Sequence, residues 1–534
     1  VRRSSDKGST CDPGHGREVD QVEISGSLIA RNTIMNLIGQ ALPLVVGVVT
    51  IPMVVHGLGT DRFGLLSLAW VVLGYFTIFD LGLGRAATKY VAAALGRGED
   101  DQVPQIIWTA VTFQAALGFL GALVLLGITD LLVENVLKIP PELLGEAKDT
   151  FHLLALSIPL VLVSSSFSGV LEAAQRFDLV NAVRIPSSIL TFILPLVGLH
   201  LGFGLPGIVA LIMLARVVTL VAFLIMGLRI VPNLREYSIS FARFYSLFSF
   251  GGWVMISNLV IPIFVYLDRF LIGALLTMSA VTFYTVPFDV VNRLLIIPAS
   301  IASVLFPTFS SLSSCNEKDR INIIVMRSTK YILTVMVPLT VLLLIFSEDI
   351  LRVWLGNEFA EESAIVFRLI GIGVLLNSIG YIPFALIQGI GRPDIVVKYH
   401  LVELPIYVVV VFFLIGRFGI NGAALAWCLR MTWAIPIFFL LCGRVAEVPL
   451  KSLSDNGTSR SFILAAVILI PSIALPLLDG LGVAAKGFLA GALLIASLLF
   501  SWFTTFDRID RDFMKSLILR VRNCRLIKGD DVHV

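Results

Sequence analysis

FHLLALSIPLVLVSSSFSGVLEAAQRFD (Phe151 to Asp178) and FRLIGIGVLLNSIGYIPFALIQGIGRPD (Phe367 to Asp394) align without a gap, placing Arg176 on Arg392 and Asp178 on Asp394. The offset is about 216 residues, and a second pair, FGLPG (Phe203 to Gly207) and FGING (Phe418 to Gly422), repeats at about 215. Each long copy is an apolar run of helical length that ends in a polar turn, so the chain carries a duplicated helical unit. From Ile29 to Phe503 about fourteen apolar stretches of roughly 17–25 residues follow one another, the length a helix needs to cross a bilayer. Duplicated bundles build binding sites near the membrane midplane in many transporters, which places transport ahead of chemistry.

Composition agrees. The 534 residues are 57% hydrophobic and 14% charged, with a mean hydropathy of +0.92, against about 25% charged in soluble proteins. The sequence therefore predicts an all-α integral membrane protein, one polytopic bundle and not several soluble domains. A formal net charge of +3 without a long basic run gives no support for nucleic acid as a partner. Residues 1–28 read as a disordered cytoplasmic leader, polar and without a signal-peptide core or cleavage site. The cysteines, Cys11, Cys315, Cys428, Cys442 and Cys524, are odd in number and contain no CxxC, which supports neither a disulfide framework nor a zinc site.

The expected spans are 31–55, 64–83, 106–127, 151–171, 184–201, 205–228, 250–276, 280–306, 329–347, 364–387, 396–415, 419–442, 462–478 and 486–504. Loops after even-numbered spans carry about seventeen Lys and Arg, and loops after odd-numbered ones about seven. The positive-inside rule then puts both termini in the cytoplasm, which requires an even number of spans. The repeat makes the organisation six plus six about an axis along the membrane normal. An N-lobe covers 29–229, a cytoplasmic linker 230–248, a C-lobe 249–444 and a cytoplasmic loop 445–461. Two further helices lie in 462–505, and a basic cytoplasmic tail in 506–534.

FGLLSLAWVVLGYFTIFDLGLGRAATKY (Phe63 to Tyr90), SFGGWVMISNLVIPIFVYLDRFLIG (Ser249 to Gly273) and YTVPFDVVNRLLIIPASIASVLFPTFS (Tyr284 to Ser310) go beyond architecture. Together they resemble the bacterial flippases for O-antigen and other oligosaccharide-lipids. That family belongs to a superfamily shared with multidrug and toxic-compound extruders and the lipid II flippase. The resemblance runs over most of Ile29 to Arg444. It implies twelve core helices in two lobes, extra spans, and movement of an undecaprenyl-diphosphate-linked glycan to the periplasmic leaflet of the bacterial inner membrane. Membrane lipids and polysaccharide polymerase or assembly proteins are the partners it implies.

Ionisable residues at membrane depth cost roughly 2.5–3.5 kcal/mol each on insertion, so they mark function by default. Asp268 and Arg269 fall in span 7, and Asp289 and Arg293 in span 8, at depths of about 12 Å on two antiparallel helices. One reading is internal neutralisation, with Asp289 and Arg293 as i,i+4 partners. The other is a cavity cluster whose carboxylates exchange H+ or Na+ while an arginine meets substrate phosphate. Arg216 and Arg430 lie mid-helix in spans 6 and 12 with no acidic residue on the same helix at that depth, and a planar guanidinium pairs bidentately with phosphate. A carboxylate on another helix is the alternative partner. Asp80 ends span 2 in FDLGLGRAATKY, where it either pairs with Arg85 or Lys89 or helps to gate. Lys398, His400 and Glu403 open span 11 as a surface-level hydrogen-bonding group, and the acidic segment Glu348 to Glu362 reads as a solvated periplasmic loop.

The candidate substrate contacts are thus Arg216, Arg430, Arg269 and Arg293, with Asp268, Asp289 and Asp80 for ion coupling or gating. No cofactor is expected beyond a coupling ion. A cation-coupled multidrug antiporter fits the same architecture, though several intramembrane arginines favour an anionic lipid-linked substrate. A membrane-embedded glycan polymerase or ligase needs catalytic groups that this sequence does not assemble: there is no nucleophile–base pair, metal-ligand cluster or phosphate-cradling glycine loop.

Overall fold

The computed structural model describes residues 26–76, 83–240, 260, 262–314, 317–445, 482–506 and 511. Asp80, span 13 and most of the leader and the tail lie outside the described residues. Within them the regular structure is helical throughout, as the hydropathy requires.

The first half comprises α1 (Gly26–Leu58), α2 (Thr60–Phe76), α3 (Leu83–Gly96), α4 (Val103–Asp130), α5 (Leu144–Ala173), α6 (Phe177–His200) and α7 (Leu205–Ile230). The second half comprises α8 (262–275), α9 (Met278–Asn292), α10 (Ile296–Ser314), α11 (Lys318–Ile345), α12 (Ser347–Leu355), α13 (Asn357–Gly389) and α14 (Pro393–Val445). Gly419 breaks α14 with φ 59°, so it serves as two helices, which correspond to spans 11 and 12. α15 (Val483–Phe500) follows and packs along α11. Nine helices among the described residues are long and apolar enough to cross a membrane.

Three elements differ from expectation, the first being α3, a helix where the sequence reads a cytoplasmic loop after span 2. Span 8 is two helices, because α9 closes into a 3-10 turn at Arg293–Leu295 before α10 begins. The acidic segment after span 9 is no loop: it forms α12 and the first turns of α13. In α12, buried Leu351 and Leu355 alternate with the exposed Val353, the pattern of a short amphipathic helix lying on the bundle.

The repeat is visible bond for bond. After α5 the amides of Ala174, Gln175 and Arg176 donate to the carbonyls of Val170, Glu172 and Leu171. After α13 those of Ile390, Gly391 and Arg392 donate to Leu386, Gln388 and Ile387. Arg176 then clasps Asp178 at 3.0 and 2.9 Å, and Arg392 clasps Asp394 at 3.1 and 3.4 Å. Hydrogen bonding to the aspartate and its charge push both guanidinium pKa values further up. The turn needs one left-handed residue, which is Gly391 (φ 84°) in the second copy but Gln175 (φ 58°) in the first. A side chain there costs about 1 kcal/mol. Gly391→Ala is therefore expected to destabilise by about 1 kcal/mol and Gln175→Gly to stabilise slightly, read as opposite shifts in melting temperature in detergent.

The halves meet chiefly where α2 crosses α9, at the end of the bundle away from the Arg176 and Arg392 turns. The Asp61 carboxylate accepts the amide of Ser279 at 3.0 Å, satisfying an orphan N–H of the α9 N-terminus. The Thr282 hydroxyl donates to the Thr60 carbonyl at 2.6 Å. The amide of Lys138 donates to the Gly273 carbonyl at 2.9 Å, and its ammonium to the Leu275 carbonyl at 2.5 Å. Gly64 permits this approach, since a Cβ there would stand 1.9 Å from the Met278 carbonyl oxygen. Further along the seam, Trp354 of α12 donates its indole N–H to the Val48 carbonyl of α1 at 2.6 Å. Pro52, four residues on, has no N–H to offer that carbonyl, so the partner comes from the other half of the protein.

Candidate functional site

Behind this seal the halves part around a cavity of about 970 Å³. Its walls are α1, α2 and α6 from the first half, and α8, α9, α10 and Tyr381 of α13 from the second. It reaches Glu172 and Phe177 beside the Arg176 turn, but none of the residues of the seal line it. The cavity is therefore open towards the basic end of the bundle and shut at the other.

Three arginines face it, Arg184, Arg269 and Arg293. Arg184 on α6 bonds Glu172 of α5 at 2.7 Å. Arg269 on α8 is nearly buried, donates to the Asp289 carboxylate of α9 at 2.6 Å and lies 4.9 Å from the ring centre of Phe288. Its Nε has no hydrogen-bond partner among the described residues. Arg293 is exposed in the cavity and makes no ion pair among the described residues. The sequence offered Asp289 and Arg293 as i,i+4 partners. The 3-10 turn that begins at Arg293 takes it out of α-helical register, and Asp289 reaches across to Arg269 instead.

Asp268 is completely buried, accepts the Tyr284 hydroxyl and the Arg269 amide, and does not line the cavity. Asp289 does line it, with 38% of its side chain exposed. The four charges of spans 7 and 8 therefore form one cluster with a buried acid, a buried base, and an acid and a base open to the cavity.

Arg430 is buried and held by Glu403 of the same kinked element at 3.2 and 3.4 Å. Its guanidinium carbon lies 3.7 Å from the ring centre of Phe264. His400 and Tyr399 also bond Glu403, at 2.9 and 3.0 Å. Glu403 and His400 were placed at surface level, yet α14 starts at Pro393, so both sit deeper in the helix and are buried. Charge-assisted bonds of this kind contribute roughly 1.5–3 kcal/mol. Glu403→Gln is accordingly expected to lower stability by about 2 kcal/mol, measured as a reduced melting temperature in detergent. Arg216 on α7 is half-buried, has no ion pair among the described residues and stands off the cavity wall. The Arg184–Glu172 pair was missed in the sequence. Their spacing across the α5–α6 turn was the available signal.

The two-halved helical bundle, sealed at one end around a basic cavity, is a fold shared with solved transport proteins. It matches an inward-facing multidrug MATE transporter of the MOP superfamily at TM-score 0.68 and 17% identity, covering 79% of this chain and 98% of that one. It matches the lipid II flippase MurJ in its inward closed conformation at TM-score 0.64 and 15% identity, over 92% and 100% of the two chains. The chain belongs to the polysaccharide biosynthesis protein family, whose sequence profile it matches over residues 29–313. A relative in Shigella flexneri named "Putative O-antigen transporter" is 30% identical over 76% of this chain and 95% of its own length.

Proposed function

We propose that the protein is a flippase that carries an undecaprenyl-diphosphate-linked oligosaccharide, the repeat unit of an O-antigen or exopolysaccharide, across the bacterial inner membrane by alternating access. The observation that carries this reading is Arg293. It is a guanidinium open to the cavity between the halves, flanked by Arg269 and Arg184, whose own carboxylates are within reach of exchange. A diphosphate is the complement of such a wall, because its oxygens pair bidentately with guanidinium groups. With the basic end in the cytoplasm, as the loop charges require, the open cavity takes up substrate from the leaflet where it is made. Both termini are then cytoplasmic.

The diphosphate settles on Arg293 and draws Arg269 from Asp289. Released from its partner, Asp289 takes up a proton or Na+, while Asp268, held by Tyr284, stays behind it. The polyprenyl tail remains in lipid and enters between α1 and α10, whose Pro43, Leu44, Ile296 and Ala299 line the cavity beside exposed Val45, Val49 and Val304. Breaking the α2–α9 seal and closing the basic end delivers the glycan to the periplasm, where polymerase or assembly proteins receive it. No substrate contact is assigned to Arg216. The relatives' transporter and flippase names place the chain with transport proteins, not enzymes.

Thermal unfolding with ligand tests the assignment. An undecaprenyl-diphosphate oligosaccharide is expected to raise the melting temperature of the wild type in a concentration-dependent way, and that of Arg293→Ala much less. Stabilisation by cationic drugs, with none by the lipid-linked glycan, would select the multidrug antiporter.

A further inference from the structure

A second, smaller chamber opens off the central cavity within the C-terminal half and is not needed for holding a diphosphate. It measures about 310 Å³ and shares Val265, Phe288, Asn292, Leu295 and Tyr381 with the central cavity. Its walls are aromatic: Phe264, Phe288, Tyr381, Phe384, Trp427 and Phe438. These rings are set against one another, Phe288 on Trp427 edge-to-face at 5.4 Å and Phe384 on Phe438 at 6.3 Å. Trp427 is wedged where Gly373 leaves room, since a Cβ on that glycine would stand 2.3 Å from the indole. The walls are thus fixed, as a preformed site requires.

Polar groups converge on the same space. The side-chain amides of Asn292 and Asn377 line the chamber and have no hydrogen-bond partner among the described residues. His400 spends Nδ1 on Glu403, and Arg430 spends Nε and one Nη on the same carboxylate, leaving the other ring nitrogen and the other Nη without a partner among the described residues. An amide without a partner in a membrane helix is costly, and amides at the mouth and wall of an open chamber are positioned for a polar guest. The guest is also uncharged, because Glu403 already neutralises Arg430.

We infer that this chamber is a subsite for one neutral pyranose ring of the glycan, which stacks its C–H face on the aromatic walls and takes hydrogen bonds from Asn377, Asn292 and the free edge of Arg430. Sites for drug-sized ligands run about 300–1,000 Å³, so this chamber suits a sugar ring and not a whole oligosaccharide. The inference rests on the flippase reading and adds to it a place where sugar identity is read, separate from the phosphate contact on Arg293. Tyr381 and Asn292, common to both spaces, mark the passage from diphosphate to sugar.

Saturation-transfer NMR on the full-length protein in nanodiscs tests this without any need for transport. The probes are methyl glucopyranoside, methyl glucuronoside and hexanol. Transfer to the ring protons of the neutral glycoside is expected in the wild type and in Arg293→Ala, and at least a fivefold loss in Trp427→Leu and in Asn377→Leu. The second variant changes a half-buried amide and keeps the test informative should the first fail to fold. Equal transfer in all variants, no transfer in the wild type, a preference for the uronate, or displacement of the glycoside by hexanol would each overturn the sugar subsite. Loss of lipid-linked glycan stabilisation in Arg293→Ala is a separate readout, so failure of the chamber and failure of the flippase reading are told apart.

Discussion

Gly64→Val is expected to abolish flipping while leaving both halves folded. A Cβ at residue 64 would stand 1.9 Å from the Met278 carbonyl oxygen, far inside contact distance, and neither backbone can yield without separating α2 from α9. Overpacking a well-fitted contact typically costs 1–3 kcal/mol. On the alternating-access reading, the strain falls only on the state in which the far end is shut. Each 1.4 kcal/mol of such a difference moves the balance between the two states about tenfold, so the valine variant should rest with the far end open. Thr282→Cys in a cysteine-free background reports this. Its side chain, fully buried in the seal against Thr60 and Gly64, should react slowly with a membrane-impermeant maleimide added from the far side, and at least tenfold faster once Gly64→Val is added. Unchanged labelling would mean that the α2–α9 contact is not the gate. The Trp354 bond to Val48 closes the same seam less strongly, as a single neutral hydrogen bond worth about 1 kcal/mol.

Arg269→Ala should be the most damaging change in the cavity. It deprives Asp289 of its partner and leaves Asp268 beside it without the nearest positive charge. Truncating one member of a buried ion pair costs about 3–5 kcal/mol. Asp289 is 38% exposed to the cavity, so about 2–3 kcal/mol is expected. The same change takes one guanidinium from the diphosphate, and flipping should fall by about a hundredfold or more, the weight of a lost charge-assisted bidentate contact. Arg269→Ala/Asp289→Ala separates the two losses. It should recover most of the melting temperature and little of the flipping. Full recovery of both would reduce Arg269 to a structural partner of Asp289.

The bundle was largely legible because lipid permits few solutions. Backbone groups must be satisfied within each span, so apolar length alone located the spans, whereas α5, α6, α11 and α13 each begin about two turns or more before the expected border because their first turns carry polar residues. The repeat between Phe151–Asp178 and Phe367–Asp394 fixed the relation of the halves, and the matched turns with Arg176–Asp178 and Arg392–Asp394 follow from it. The pairing of charges was less legible, since it depends on local departures from ideal helix. Asp289 and Arg293 read as neighbours on a continuous helix, and a single 3-10 turn after Asn292 reassigns Asp289 to Arg269. Arg430 looked partnerless because its carboxylate, Glu403, lies 27 residues away across the Gly419 kink. α12 was hidden by its charge: Glu348 and Arg352 pair on its solvent side, and Asp349 is held by Lys486 of α15 at 2.7 Å, so a polar segment is a packed helix. The aromatic chamber draws its rings from α8, α9, α13 and α14, a convergence that no spacing along the chain announces.

The most direct measurement of the central claim is flipping of a labelled undecaprenyl-diphosphate oligosaccharide in proteoliposomes by the wild type and by Arg293→Ala, the guanidinium that faces the cavity with no ion pair among the described residues. The account predicts protein-dependent flipping in the wild type and a loss of at least tenfold in Arg293→Ala at unchanged melting temperature. Flipping by the variant at the wild-type rate would contradict the placement of the diphosphate in this cavity, and no protein-dependent flipping of any lipid-linked glycan tried would contradict the function itself.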